Sequence, residues 1–148
     1  MNKVILFLLA LLCTVPVFSQ NVRTQNRYGD VLIYVDGNKI RAHNRYGDVL
    51  FTRDGNVIRE GGAYGTPVLY LDGNTVRQKN RYGDKLLYLD GRTLRETNQY
   101  GDPLLYIDGA TVRNRNAYGD PIFYYYCPLN FRRQYKERTD SICRSRSF

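Results

Sequence analysis

From residue 31 onward apolar residues arrive in short clusters, such as Val31-Leu32-Ile33-Tyr34-Val35 and Lys85-Leu86-Leu87-Tyr88-Leu89, each closed by Asp-Gly. A single apolar residue followed by Arg comes next, as in Lys39-Ile40-Arg41 and Thr75-Val76-Arg77. Asp-Gly between apolar runs is a strong hairpin signal, because Gly accepts the positive φ of a tight turn. Each unit therefore predicts two short strands, the first richly apolar and the second alternating. A helical reading fails, since the Asp-Gly and Tyr-Gly punctuation leaves no window for three helical turns.

The punctuation is strictly periodic. Tyr-Gly stands at 28, 46, 64, 82, 100 and 118, and Asp-Gly at 36, 54, 72, 90 and 108, every copy 18 residues after the last with nothing inserted. Spacing of this kind marks a tandem hairpin repeat. In the first strand two consecutive positions are apolar in every copy (Leu32-Ile33, Leu50-Phe51, Val68-Leu69, Leu86-Leu87, Leu104-Leu105, Ile122-Phe123). On a two-residue pleat this places apolar side chains on both faces and predicts a strand buried on both sides. The second strand is expected to face water on one side. Pro67, Pro103 and Pro121 share one position after the Tyr-Gly turn. A Pro there implies an N–H that no ladder bond needs, and strands that start one residue later.

The chain falls into three parts, residues 1–19, 20–126 and 127–148. Lys3, the apolar stretch Val4 to Leu12 and Val17-Phe18-Ser19 read as a secretory signal peptide cleaved before Gln20. Val4 to Phe18 is 15 residues, short of a membrane-spanning helix. No transmembrane helix is expected after cleavage. Large Leu11-Leu12 before Cys13 disfavours a lipoprotein site. Export makes the protein periplasmic, outer-membrane-associated or extracellular, and leaves Cys127 and Cys143 as a pair where disulfides persist. A bridge between them would tie the C-terminal tail to the last strand; two free thiols are the alternative.

The two ends of the array bear on its closure. Asn21-Val22-Arg23 matches the second-strand pattern, while Ile122-Phe123-Tyr124 is a first strand with no partner after it. Complementary halves can pair and remove exposed edges, giving an all-β ring that is flower-like, propeller-like or barrel-like. The alternative is an open hairpin solenoid. The pattern Tyr-Gly-Asp-x-Leu-Leu-Tyr-x-Asp-Gly-x-x-Val-Arg over residues 21–126 resembles the small exported bacterial proteins described as five-fold β-flowers, and more distantly other short hairpin repeats. That resemblance implies a fold and export, and brings no activity or catalytic residues. Five complete periods flanked by two halves leave five or six petals open.

Candidate chemistry is sparse. The Asp residues before Gly are turn residues, and a repeat makes its carboxylates alike, whereas a catalytic pair needs two different environments. A glycan hydrolase is thus the weaker alternative. His43 is lone and reads as a surface residue. Asp-Gly-Asn loops lack calcium-loop spacing. No catalytic residue, metal or cofactor is assigned.

Two ladders are candidate ligand-binding surfaces, Tyr34, Tyr70, Tyr88 and Tyr106 (with Tyr124, and Thr52 as the exception) and Arg41, Arg59, Arg77, Arg95 and Arg113 (with Arg23). The bland reading has Arg pairing with turn Asp residues and Tyr packing as a strand former. The functional reading has aligned Tyr and Arg meeting a polysaccharide or polyanion. Net charge is +8, but residues 20–131 hold 15 Lys and Arg against 12 Asp and Glu, while residues 132–148 hold six against two. Arg132, Arg133, Lys136 and Arg138 therefore lead a basic tail suited to an anionic envelope surface. Nucleic acid is not expected outside the cytoplasm. The expectation is an exported, non-enzymatic binding or structural module of the cell envelope.

Overall fold

A computed structural model describes residues 20–126. The signal segment, the Cys127 and Cys143 pair and the basic residues Arg132, Arg133, Lys136 and Arg138 lie outside the described residues. Twelve strands follow one another: β1 (Gln20–Thr24), β2 (Val31–Asp36), β3 (Lys39–Ala42), β4 (Val49–Asp54), β5 (Val57–Glu60), β6 (Pro67–Asp72), β7 (Thr75–Gln78), β8 (Lys85–Asp90), β9 (Thr93–Glu96), β10 (Pro103–Asp108), β11 (Thr111–Asn114) and β12 (Pro121–Tyr126). Each pairs antiparallel with its sequence neighbours, and β1 pairs with β12, so the sheet is a closed barrel. The seam repeats the internal geometry: Gln25 N–H donates to the Ile122 carbonyl at 2.9 Å as His43 N–H does to that of Leu32 at 3.2 Å. The complementary half-repeats thus make a sixth hairpin, and the ring has six petals.

The Asp-Gly turns behave as expected. Gly37, Gly55, Gly73, Gly91 and Gly109 have φ of 58–60°, and each is the first residue of a two-residue loop between paired strands. Positive φ at that residue and not at the next is the pattern of a type II′ turn.

Twelve side chains, one per strand, form an inner belt: Val22, Ile33, Ile40, Phe51, Ile58, Leu69, Val76, Leu87, Leu94, Leu105, Val112 and Phe123. None is more than 9 % exposed, and they face one another across strands, as Ile40 does Phe51 and Leu94 does Leu105. At about 1.5–3 kcal/mol per buried side chain, this belt is the main driving force for closure.

The expectation of first strands buried on both faces is not met, and the reason is a β-bulge. Arg41 pairs with Val49 while Ile40 pairs with Phe51, leaving Leu50 as an extra residue. The same shift recurs in all six first strands. A bulge sets two residues against one and breaks the alternation. Leu32, Leu50, Val68, Leu86, Leu104 and Ile122 consequently pack against the same core as the belt residues that follow them. The outer face is left to the Tyr and Arg ladders. The Pro reading is corrected likewise: β6, β10 and β12 begin at Pro itself, the position just before the bulge.

Candidate functional site

The Tyr and Arg ladders stand directly opposite one another on the outer face: Tyr34 with Arg41, Tyr70 with Arg77, Tyr88 with Arg95, Tyr106 with Arg113, and Arg23 with Tyr124 across the seam. Thr52, opposite Arg59, is buried and its Oγ1 donates to the Gly61 carbonyl at 2.6 Å. The guanidinium groups are half-buried and bonded within the repeat. Nε of Arg77 meets Asp72 Oδ2 at 2.9 Å, and the same pairing is 3.0 Å for Arg95 and Asp90, 3.1 Å for Arg113 and Asp108, 3.3 Å for Arg59 and Asp54 and 3.6 Å for Arg41 and Asp36. Nη1 donates in turn to the carbonyl of the next Tyr-Gly glycine, from 2.9 Å at Arg23 and Gly29 to 3.3 Å at Arg113 and Gly119. Each ladder Arg thus holds a Tyr-Gly loop in place, and five of them also hold the turn of their own hairpin. The Tyr rings beside them are partly covered.

A second set of tyrosines emerges at the rim formed by the Tyr-Gly loops. Tyr28, Tyr46, Tyr64, Tyr82, Tyr100 and Tyr118 are 79–103 % exposed. Asn Oδ1 two residues earlier accepts the Tyr backbone N–H at 2.8–2.9 Å in five copies, and the Gly after each Tyr donates to the carbonyl three residues before it at 2.9–3.0 Å. A Cβ on that Gly would lie 1.6–1.9 Å from the carbonyl oxygen five residues back. The loops are therefore tightly built, with rings held out in water. Arg27, Arg45 and Arg81 sit over Tyr28, Tyr46 and Tyr82 with ring-centre distances of 4.6, 5.1 and 5.6 Å. Ala63, Gln99 and Ala117 occupy that place in the other three copies. Sequence reading took these tyrosines as punctuation. The available signal was that each sits in a loop motif of Asn, Arg, Gly and Asp, or of Gly, Ala and Thr at Tyr64, with no large apolar residue beside it.

Inside this rim the barrel opens into a cleft of about 660 Å³ lined by Glu96, Asp102, Asn114 and Arg115 above Leu104, Leu105, Ile122 and Phe123. Glu96 and Asn114 project from the inner face, since Glu96 pairs with Leu87 and Asn114 with Leu105 of the belt, while Asp102 and Arg115 come from the adjoining loops. His43 lies exposed on the same rim with φ of 55°, its Nδ1 3.1 Å from the Val31 carbonyl oxygen. Among the described residues no three His, Cys, Asp or Glu side chains converge on a point where a metal ion could sit. At the opposite end Tyr125 is buried with its hydroxyl unpartnered among the described residues, and burial pushes its phenol well above the ordinary tyrosine range.

Comparison with known proteins agrees with this geometry. The family described as "6-fold beta flower protein" matches residues 22–126. No curated protein and no solved structure gave a match. Six hairpins replace the five-fold count suggested by the sequence resemblance, and with most of the chain matched, the protein belongs to the six-fold β-flower family.

Proposed function

We propose that this protein is an exported, non-catalytic binding module of the cell envelope, and that its ligand is a polysaccharide met by the tyrosine rim. One observation carries the reading. The loop uses its Asn for a backbone bond in five copies and its Gly for close approach in all six, but the Tyr side chain has no apolar packing and stays 79–103 % exposed in every copy, even where an Arg lies over the ring. Exposed aromatic rings at six equivalent points suit a ligand with repeating apolar faces and hydroxyl edges, which describes a sugar chain. The amino-terminal signal pattern supports an envelope address. The outer ladders contribute less to recognition than the sequence suggested, because their guanidinium donors are already engaged.

The test is binding of the purified protein to neutral and anionic glycans at low and high salt, beside a variant with Tyr28, Tyr46, Tyr64, Tyr82, Tyr100 and Tyr118 all changed to Ser. Binding that survives salt and drops at least tenfold in the variant supports the rim. Binding that collapses with salt and ignores the variant moves recognition to the basic tail. Silence towards every glycan defeats the polysaccharide reading and leaves a structural role.

A further inference from the structure

The barrel is six-fold in backbone but not in the side chains at its mouth. Thr24, Ala42, Glu60, Gln78, Glu96 and Asn114 occupy one inward position, each opposite a belt residue. Gln25, His43, Gly61, Lys79, Thr97 and Arg115 occupy the next, all with left-handed φ of 50–67°. That second position carries a different residue in every copy, whereas the ladder Arg never varies. A side chain that served only the framework would face the same neighbours in each copy and would repeat. The mouth is therefore individualised, and its sector between the fifth and sixth Tyr-Gly loops holds the cleft.

We infer that this cleft binds one neutral hexopyranose unit of a glycan chain. The inference rests on the polysaccharide reading and names a specific site within it. Leu104 and Ile122 give an apolar floor for the C–H face of a sugar ring. Glu96 and Asp102 supply acceptors, Arg115 donors and Asn114 both, the mixture that vicinal hydroxyls satisfy. Two carboxylates against one guanidinium leave the cleft net negative, which disfavours an anionic sugar. Its volume of about 660 Å³ lies within the range of small-molecule sites. The loop carrying Tyr100 contributes Asp102 to the wall, and Gln99 and Ala117 stand where an Arg covers the rim tyrosine in other copies.

The experiment uses the purified protein and hexamers of α-linked glucose, β-linked glucose and β-linked N-acetylglucosamine, read by isothermal titration calorimetry. The test variant is Glu96→Ala with Arg115→Gly, residues that the barrel already carries at equivalent positions as Ala42 and Gly61. The control applies the same pair in another sector as Glu60→Ala with Lys79→Gly. Binding of one hexamer that weakens at least tenfold in the test variant and less than twofold in the control supports the site. Equal effects of the two pairs, with loss on removal of the rim tyrosines, overturn the cleft and leave the polysaccharide reading standing. No binding of any hexamer overturns the cleft, and the wider reading falls with it only if the anionic glycans are silent too.

Discussion

Each repeat holds two glycines required for different reasons, and Gly73 and Gly83 allow the reasons to be separated. Gly73, in an Asp-Gly turn, has φ of +58° and nothing within 4 Å of an added Cβ. Ala there meets only the positive-φ penalty, about 1–2 kcal/mol, while Asn tolerates such turn positions better and should cost less than Ala. Gly83, in a Tyr-Gly loop, has no positive φ, but its Cβ would lie 1.8 Å from the Gln78 carbonyl oxygen and 2.8 Å from the carbonyl carbon. The obstacle is backbone, so the loop itself has to move. Three of the bonds that hold that loop involve Gly83 or close the loop around it: Gly83 N–H to Asn80 O at 3.0 Å, Gln78 N–H to Asp84 O at 2.9 Å and Arg77 Nη1 to Gly83 O at 3.3 Å. At about 0.5–1.5 kcal/mol each, their loss puts Gly83→Ala at about 2–4 kcal/mol. Gly83→Asn adds the same Cβ and should cost as much.

The assay is urea unfolding of the four single variants, followed by far-UV circular dichroism, with the change in midpoint read at a shared m-value. The discriminating quantity is the response to Asn, which should rescue position 73 and fail at position 83. Recovery of most of the Gly83→Ala loss by Gly83→Asn would refute the close-approach argument, and so would equal costs for the two Ala variants.

Four further variants are read by the same unfolding measurement, repeated at raised pH or salt where stated. Thr97 is β-branched at φ of 60°, where the third repeat has Gly61, so Thr97→Gly should raise stability by about 1 kcal/mol. Tyr125→Phe removes a buried hydroxyl with no partner among the described residues and should stabilise by about 1 kcal/mol at neutral pH. The raised phenol pKa means the folded state holds the proton, so Tyr125 leaves stability unaffected below its unfolded value of about 10 and lowers it as pH rises further; the Phe variant should lose less stability on alkaline titration. Arg77→Ala breaks both the Asp72 pair and the bond to the Gly83 carbonyl and should cost about 1–2 kcal/mol. Asp72→Asn, touching only a half-exposed pair, should cost less than about 1 kcal/mol and lose its effect in salt.

The hairpins, their period and the closure were legible because each rests on local chemistry or simple counting. Asp-Gly dictates a positive φ at Gly73 and its equivalents, and unpaired half-repeats at Val22 and Phe123 have an obvious way to meet. The bulge was not legible. Leu50-Phe51 reads equally as a strand with two buried faces or as two residues turned to one side, and only the pairing of Arg41 with Val49 decides between them. The glycine of Tyr-Gly was legible as a turn residue but its cause was not, since the contact that forbids a side chain lies five residues back. The pairing of ladder Arg with turn Asp was legible as one of two readings and is met in five hairpins, whereas the second bond, to the Tyr-Gly carbonyl, was not, because a backbone carbonyl carries no sequence signal.

Symmetry bears on what such a chain can recognise. A position repeated in all six copies presents the same group around the ring and fits a ligand that itself repeats; the rim tyrosines are of this kind. A position that differs in every copy makes one sector unlike the rest and fits a single, oriented unit; the residues from Gln25 to Arg115 are of that kind. The belt and the Arg ladder cannot perform the second task, because changing Ile58 or Arg59 disturbs neighbours in the same and adjacent hairpins. The mouth can, since residues such as Glu96 and Arg115 are exposed beyond the last belt layer and carry no framework bond through their side chains among the described residues. Recognition specificity at the mouth is thus separable from stability where the backbone conformation is ordinary, and Glu96→Ala should alter binding while leaving the unfolding midpoint nearly unchanged.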